Sequence, residues 1–193
     1  MKHALRLAVI LLCLAPLQRG RAAENATTAY SDPHYGFALR YPSNASIAID
    51  GQADGQLDMT GTAAVVVTPN LDAFKGTNLG EASVSVGVSN DPAVVAACAA
   101  GSPAQGEKAA GTSTIGGVKF SRFTFEDAAV GNRYASTIYR AVQTGRCYEI
   151  VEFIHWAVFE NFSPGTVTKF DPIKIQTQLH AITRSFGFKP SAT

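Results

Sequence analysis

Between residues 114 and 156 the alternation of apolar and polar side chains predicts three consecutive antiparallel strands, over residues 118–125, 132–142 and 147–156. Gly116-Gly117 leads into the first, Val130-Gly131-Asn132 makes the first bend, and Thr144-Gly145 makes a tight second one. A two-residue loop fixes pairing: Gln143 must face Arg146, and counting outward sets Arg140 opposite Glu149. A one-residue slip would destroy that opposite-charge pair. The same register puts Tyr134, Ile138, Val142, Cys147, Val151 and Phe153 on one face. Ala135, Tyr139, Ala141, Tyr148, Ile150, Ile154 and Trp156 lie on the other. Two apolar faces need cover on both sides, so the pattern predicts an α+β, three-layer α/β/α sandwich around a central antiparallel sheet.

The rest of the chain supplies the remaining layers. Tyr35, Phe37, Leu39 and Tyr41 alternate as a strand that Pro42 ends, Ile47 and Ile49 mark a short second one, and residues 62–68 read as a buried third. Residues 81–88 alternate cleanly. Asp91-Pro92 is a helix start, with Asp as cap and Pro in the first turn, for a short Ala-rich helix over residues 92–100 that offers Val94, Val95 and Cys98 for burial. Residues 101–111 read as a loose loop, and residues 157–170 as a long one with Phe159, Phe162 and Phe170 as anchors. Asp171-Pro172 repeats the helix start. Ile175, Leu179, Ile182 and Phe186 then form one apolar stripe, with Gly187 as C-cap.

The N-terminus changes the picture of where the protein works. A basic start is followed by an apolar run over residues 7–17 and by the small residues Gly20 and Ala22. This reads as a secretory signal peptide, residues 1–22, cleaved near Ala22. It is too short for a transmembrane anchor, which needs about 20 apolar residues, and Pro16 interrupts it. A flexible leader (23–29), one domain (30–188) and a short tail (189–193) are expected to follow. The full chain of 193 residues carries 16 Lys and Arg against 15 Asp and Glu. Four of those bases, Lys2, Arg6, Arg19 and Arg21, leave with the leader, so the mature protein is net acidic. Its cations are scattered, which excludes nucleic acid as a partner. Cys13 also leaves. Cys98 and Cys147 remain, and in an oxidising compartment the expectation is a structural disulfide; two buried free thiols are the alternative.

Candidate chemistry is sparse. His34, His155 and His180 show no metal-ligand spacing, and no nucleophile elbow, P-loop or dinucleotide fingerprint appears, so neither metal nor cofactor is expected. His155 is placed opposite Tyr134, among aromatics at a strand end. Glu152 faces Thr137 on an otherwise apolar face, where burial can raise a carboxyl pKa. These two are the weak site candidates. His180 is placed near the solvated side of its helix. Asp50, Asp54 and Asp58 surround Gly51 and Gly55 but lack the ligand spacing of a calcium loop, and read as a solvated turn. Asn25, Asn44 and Asn161 head glycosylation sequons.

The opening Tyr30, Asp32, Tyr35-Gly36-Phe37, Leu39 and Tyr41-Pro42 resembles the first strand of PsbP-like domains. The ending, Arg146-Cys147-Tyr148 followed by a last helix running into Ser185-Phe186-Gly187-Phe188, is similar as well. The resemblance implies the sandwich already argued, with six to seven strands, and a protein that acts through binding; it carries over no functional residue. The resulting expectation is an exported, periplasmic or extracellular, non-catalytic protein that assists or contacts a protein partner in the cell envelope. The alternative is a small-ligand binder or hydrolase with a pocket near His155 and Glu152. An envelope metal or redox protein is a third.

Overall fold

The computed structural model describes residues 26–50, 57, 62–102 and 106–189. The expected signal peptide over residues 1–22, Asp54, Asp58 and the last four residues lie outside them. Among the described residues ten strands form two antiparallel sheets. The small one has the order β1-β2-β10, with β1 Thr27–Asp32, β2 Phe37–Pro42 and β10 Gly187–Phe188. The large one has the order β3-β4-β5-β9-β8-β7-β6. Its strands are β3 Ser46–Ile49, β4 Ala63–Thr68, β5 Leu79–Ser89, β6 Lys108–Ile115, β7 Val118–Ala129, β8 Asn132–Gln143 and β9 Arg146–Ala157. Two helices flank it, α1 Pro92–Ala97 and α2 Pro172–Arg184.

Strand β9 lies in the middle of the large sheet, between β5 and β8, and is buried from Cys147 to Ile154. Its near-continuous apolar sequence follows from that position, since neither of its faces meets water. The β7–β8–β9 meander has the expected register: Gln143 pairs with Arg146, Arg140 with Glu149, Thr137 with Glu152 and Tyr134 with His155. Thr144 and Gly145 both take positive φ (49° and 74°), the conformation of a two-residue hairpin turn, and only Gly does so without steric cost. At the first bend, Gly131 is required by space. A Cβ there would sit 2.3 Å from the Asn161 side-chain nitrogen, which ties the long loop to the hairpin by donating to the Gly131 carbonyl.

One face of the large sheet packs against α2 and the small sheet. Ile175, Leu179 and Ile182 of α2 are fully buried there with Tyr139, Tyr148 and Ile150, and Phe37 stacks on Phe186. The other face carries a smaller cluster built on Phe123, Ile138, Val151 and Phe153, closed by Leu57 and Ala63. Helix α1 covers part of it through the Cys98–Cys147 disulfide, whose Cα atoms are 5.7 Å apart. No residue between Pro92 and Ala97 is fully buried; Val94 and Val95 are only half-buried, so the covalent bond rather than side-chain docking holds the helix.

Three expectations need correction, all at strand ends or edges. Strand β1 extends into the segment expected to be a flexible leader, since it starts at Thr27 and pairs Thr27 with Pro42. Residues 108–111 belong to β6, not to a loop, and pair with β7 across a bulge between Ala109 and Thr112. Both strands lie at a sheet edge, where backbone hydrogen bonds suffice and no apolar alternation is needed to bury a face. Gly187 does not cap α2; it enters β10, and Ser185 closes the helix by donating its hydroxyl to the Ile182 carbonyl.

Candidate functional site

Side chains three apart on a strand point to opposite faces. His155 and Glu152 therefore cannot share a pocket, and the structure separates them across the sheet. The His155 imidazole stacks on Tyr134 with 4.8 Å between centroids, and its Nε2 lies 2.9 Å from the Asn132 Oδ1. It also fills the space above Gly80, where a Cβ would come within 2.9 Å of its Nδ1. These contacts make His155 part of the strand-end packing.

Glu152 has different company. It points toward α2, where its Oε1 is 3.2 Å from His180 Nδ1 and 3.4 Å from the Tyr139 hydroxyl. That hydroxyl is itself 3.4 Å from His180 Nδ1, which closes a triangle of three polar groups. Glu152 is 8% exposed, while the His180 side chain is 46% exposed, so the triangle lies at the boundary between core and water. Burial pushes the Glu152 carboxyl above the usual carboxylate range, and the Thr183 hydroxyl, the His180 imidazole and the Tyr139 phenol, in that order, offset only part of that. Burial, followed by the nearby Glu152 charge, likewise holds the Tyr139 phenol well above its ordinary value.

Helix α2 positions this site through its caps and its period. Asp171 accepts hydrogen bonds from the Ile173 and Lys174 amides at 2.9 and 3.2 Å, which fixes the start of the helix. With the apolar stripe turned into the core, Gln176, His180 and Arg184, spaced by four, form a polar flank beside it. That flank borders two adjoining cavities. One, of about 470 Å³, holds the triangle together with Arg122 and Thr137 from the sheet. The other, of about 530 Å³, is lined by Trp156, Phe159 and Phe170 with Arg133, Glu126 and Lys169. Gln176 borders both, so the two lie side by side along the polar flank of α2, the α2 groove. No serine or cysteine lines either cavity.

A second ionic cluster sits on the opposite face. Arg140 and Glu149 are completely buried and Glu107 is nearly so. Arg140 Nε donates to Glu149 at 2.8 Å and its Nη1 to Glu107 at 2.6 Å, and the guanidinium lies 5.4 Å from the centre of the Phe123 ring. Burial alone would lower the Arg140 pKa, but the two carboxylates outweigh it and the net direction is upward. Glu107 also accepts from the Ser102 amide, so this network closes the loop after α1 over the sheet.

Of the sequence candidates, then, Glu152 lies in the groove and His155 does not. His180, Arg122 and Arg184 were missed as its companions. The i, i+4 spacing of His180 with Gln176 and Arg184 is visible in the sequence; which strand residue the helix meets is not. Among the described residues no cluster of His, Cys, Asp and Glu is arranged to hold a metal ion.

No family model matches the sequence, and no curated protein matches it significantly. Two solved structures are similar in shape. The solution structure of cyanobacterial PsbP from Synechocystis sp. PCC 6803 aligns at 14% identity with a TM-score of 0.43, covering 91% of this chain and 98% of that one. The crystal structure of LpqN, involved in cell envelope biogenesis of Mycobacterium tuberculosis, aligns at 11% identity with a TM-score of 0.46, covering 86% of this chain and 91% of that one. At these values no residue and no activity transfers. What the structure itself shows is an α+β fold, a seven-stranded antiparallel sheet flanked by helices.

Proposed function

We propose that this protein is a non-catalytic binding module of the cell envelope, exported by its N-terminal leader, and that it holds a polypeptide partner in the groove along α2. The observation that carries the reading is the make-up of the groove. Aromatic anchors (Trp156, Phe159, Phe170) and arginines (Arg122, Arg133, Arg184) are the side chains that dominate protein–protein binding energy, and here they line two neighbouring cavities that share Gln176. Carboxylates interleave with the cations, which suits a partner of mixed charge better than a single ionic ligand. Export rests on the leader sequence, and a disulfide between Cys98 and Cys147 is compatible with an oxidising compartment.

A photo-crosslinking amino acid at Gln176 tests the proposal in the native host. Reproducible capture of one envelope protein from position 176, and none from exposed Val142 on the opposite face, is the expected result. The competing reading, a small-ligand binder, would use the Glu152–His180–Tyr139 end of the groove. A stoichiometric small molecule in native mass spectra, with no protein adduct at position 176, would replace the proposal with that one.

A further inference from the structure

A third cavity, of about 720 Å³, lies at the far end of the sheet from the long loop. Three separate stretches of chain meet there: the turn between β1 and β2, the β8–β9 hairpin, and the end of β10. Each brings a base, namely His34, Arg146 and Lys189, and among the described residues no aspartate or glutamate lines the space. Asp32, two residues before His34, is engaged elsewhere, accepting from the Tyr35 amide at 2.8 Å and the Tyr30 hydroxyl at 3.2 Å. In a mature chain with more acids than bases, three bases converging on one cavity without a carboxylate is a distinctive arrangement.

Arg146 is also set in place. Its Nη1 donates to the His34 carbonyl at 3.0 Å and its guanidinium lies 5.6 Å from the centre of the Tyr35 ring. A guanidinium has five N–H donors, so this anchoring leaves most of the fork for a ligand, with little side-chain entropy left to lose. The floor is aromatic and rigid. Tyr148 is buried, donates its hydroxyl to the Tyr35 carbonyl at 2.6 Å, and packs edge-on against Phe188 at 4.8 Å. A fixed guanidinium, a mobile ammonium and an imidazole favour a multiply charged oxyanion over a single carboxylate. The volume exceeds what a bare inorganic ion fills and falls in the range of organic ligands.

We infer that this cavity is an anion site that takes an organic phosphomonoester, its phosphate on Arg146 and Lys189 and its body over Tyr35, Tyr148 and Phe188. The site is distinct from the α2 groove and does not depend on what that groove binds.

The test is a titration of ¹⁵N-labelled mature protein with phenyl phosphate at neutral pH, with phenol and inorganic phosphate in parallel. Saturable shifts at Gly36, Thr144 and Gly145 are expected with phenyl phosphate, weaker ones with inorganic phosphate, and none with phenol. Arg146→Met should weaken binding about tenfold or more, because it removes a charge-assisted fork. Arg146→Lys should recover only part of the loss. Lys189→Met, at an exposed position that packs against little, should weaken binding about threefold and steepen no unfolding curve. Vesicles containing phosphatidate locate the source of the group. Co-sedimentation that phenyl phosphate competes away places the monoester on a lipid headgroup; none, beside saturable phenyl phosphate binding, places it on a soluble ligand. Linear shifts that never saturate, equal binding of phenol, or an Arg146→Met variant that folds and binds unchanged would each overturn the inference.

Discussion

Glu149 and Glu152 sit three residues apart on the same strand and are both buried, yet the two faces of the sheet treat them differently. Glu149 meets a permanent charge. Arg140 lies directly across the strand pair, and Glu107 completes a dry network with them beneath the loop that follows the disulfide-bonded helix. Glu152 meets an imidazole, a phenol and the Thr183 hydroxyl at the rim of a cavity, and its carboxyl is held above the usual range by burial. A carboxylate matched by a guanidinium specifies structure, because its removal strands charge in a low-dielectric interior. A carboxylate matched by titratable neighbours at a water-filled edge keeps its charge state open to the surroundings. Placing the candidate site on the α2 face follows from that difference.

The sharpest break in the comparison is Arg140→Met. It should leave Glu107 and Glu149 buried together without their cation and cost about 3–5 kcal/mol in urea unfolding, the largest effect expected in the molecule. A loss below 1 kcal/mol would mean that water reaches the network. Leu179→Ala, which empties a fully buried position under the groove, should cost about 2–5 kcal/mol. Replacing Cys98 and Cys147 together by Ala removes a crosslink over 49 residues and should cost about 2–4 kcal/mol. Because α1 docks weakly, the same variant should lose hydrogen-exchange protection in α1 before β9; uniform loss across both would contradict the view that the bond alone holds the helix.

Glu152→Gln should give the smallest effect, and one whose size changes with pH. A carboxyl raised above its unfolded value binds its proton more tightly in the fold. Its contribution is therefore fully present below the ordinary carboxylate pKa and is lost as pH rises through the raised value. The stability of the native protein relative to Glu152→Gln should fall between acid and neutral pH, whereas parallel curves across that range would show that Glu152 titrates normally. Tyr139, Thr183, His180, Arg122 and Arg184 surround the carboxyl; because His180 pairs with it directly, repeating the comparison in a His180→Gln background isolates Glu152.

The meander was legible in the sequence down to individual pairs. A two-residue turn leaves one register, and strand alternation then assigns every residue from Asn132 to Trp156 to a face. Arg140 opposite Glu149 and the stripe from Ile175 to Phe186 needed only the periods of strand and helix. That same alternation also separates His155 from Glu152, a parity argument available before any coordinates. What stayed hidden were interactions with no sequence period. Edge strands β1 and β6 are held by backbone hydrogen bonds that polar residues make as readily as apolar ones. Glu107 joins Arg140 from 33 residues away. His180 reaches Glu152 from 28, and His34 and Arg146 come to the third cavity from 112 residues apart. Local propensity and periodicity determine which face a residue takes on its own element; only the packing of one element on another decides whose side chain it finds there, because that depends on how helices and loops settle over the sheet and not on any spacing within it.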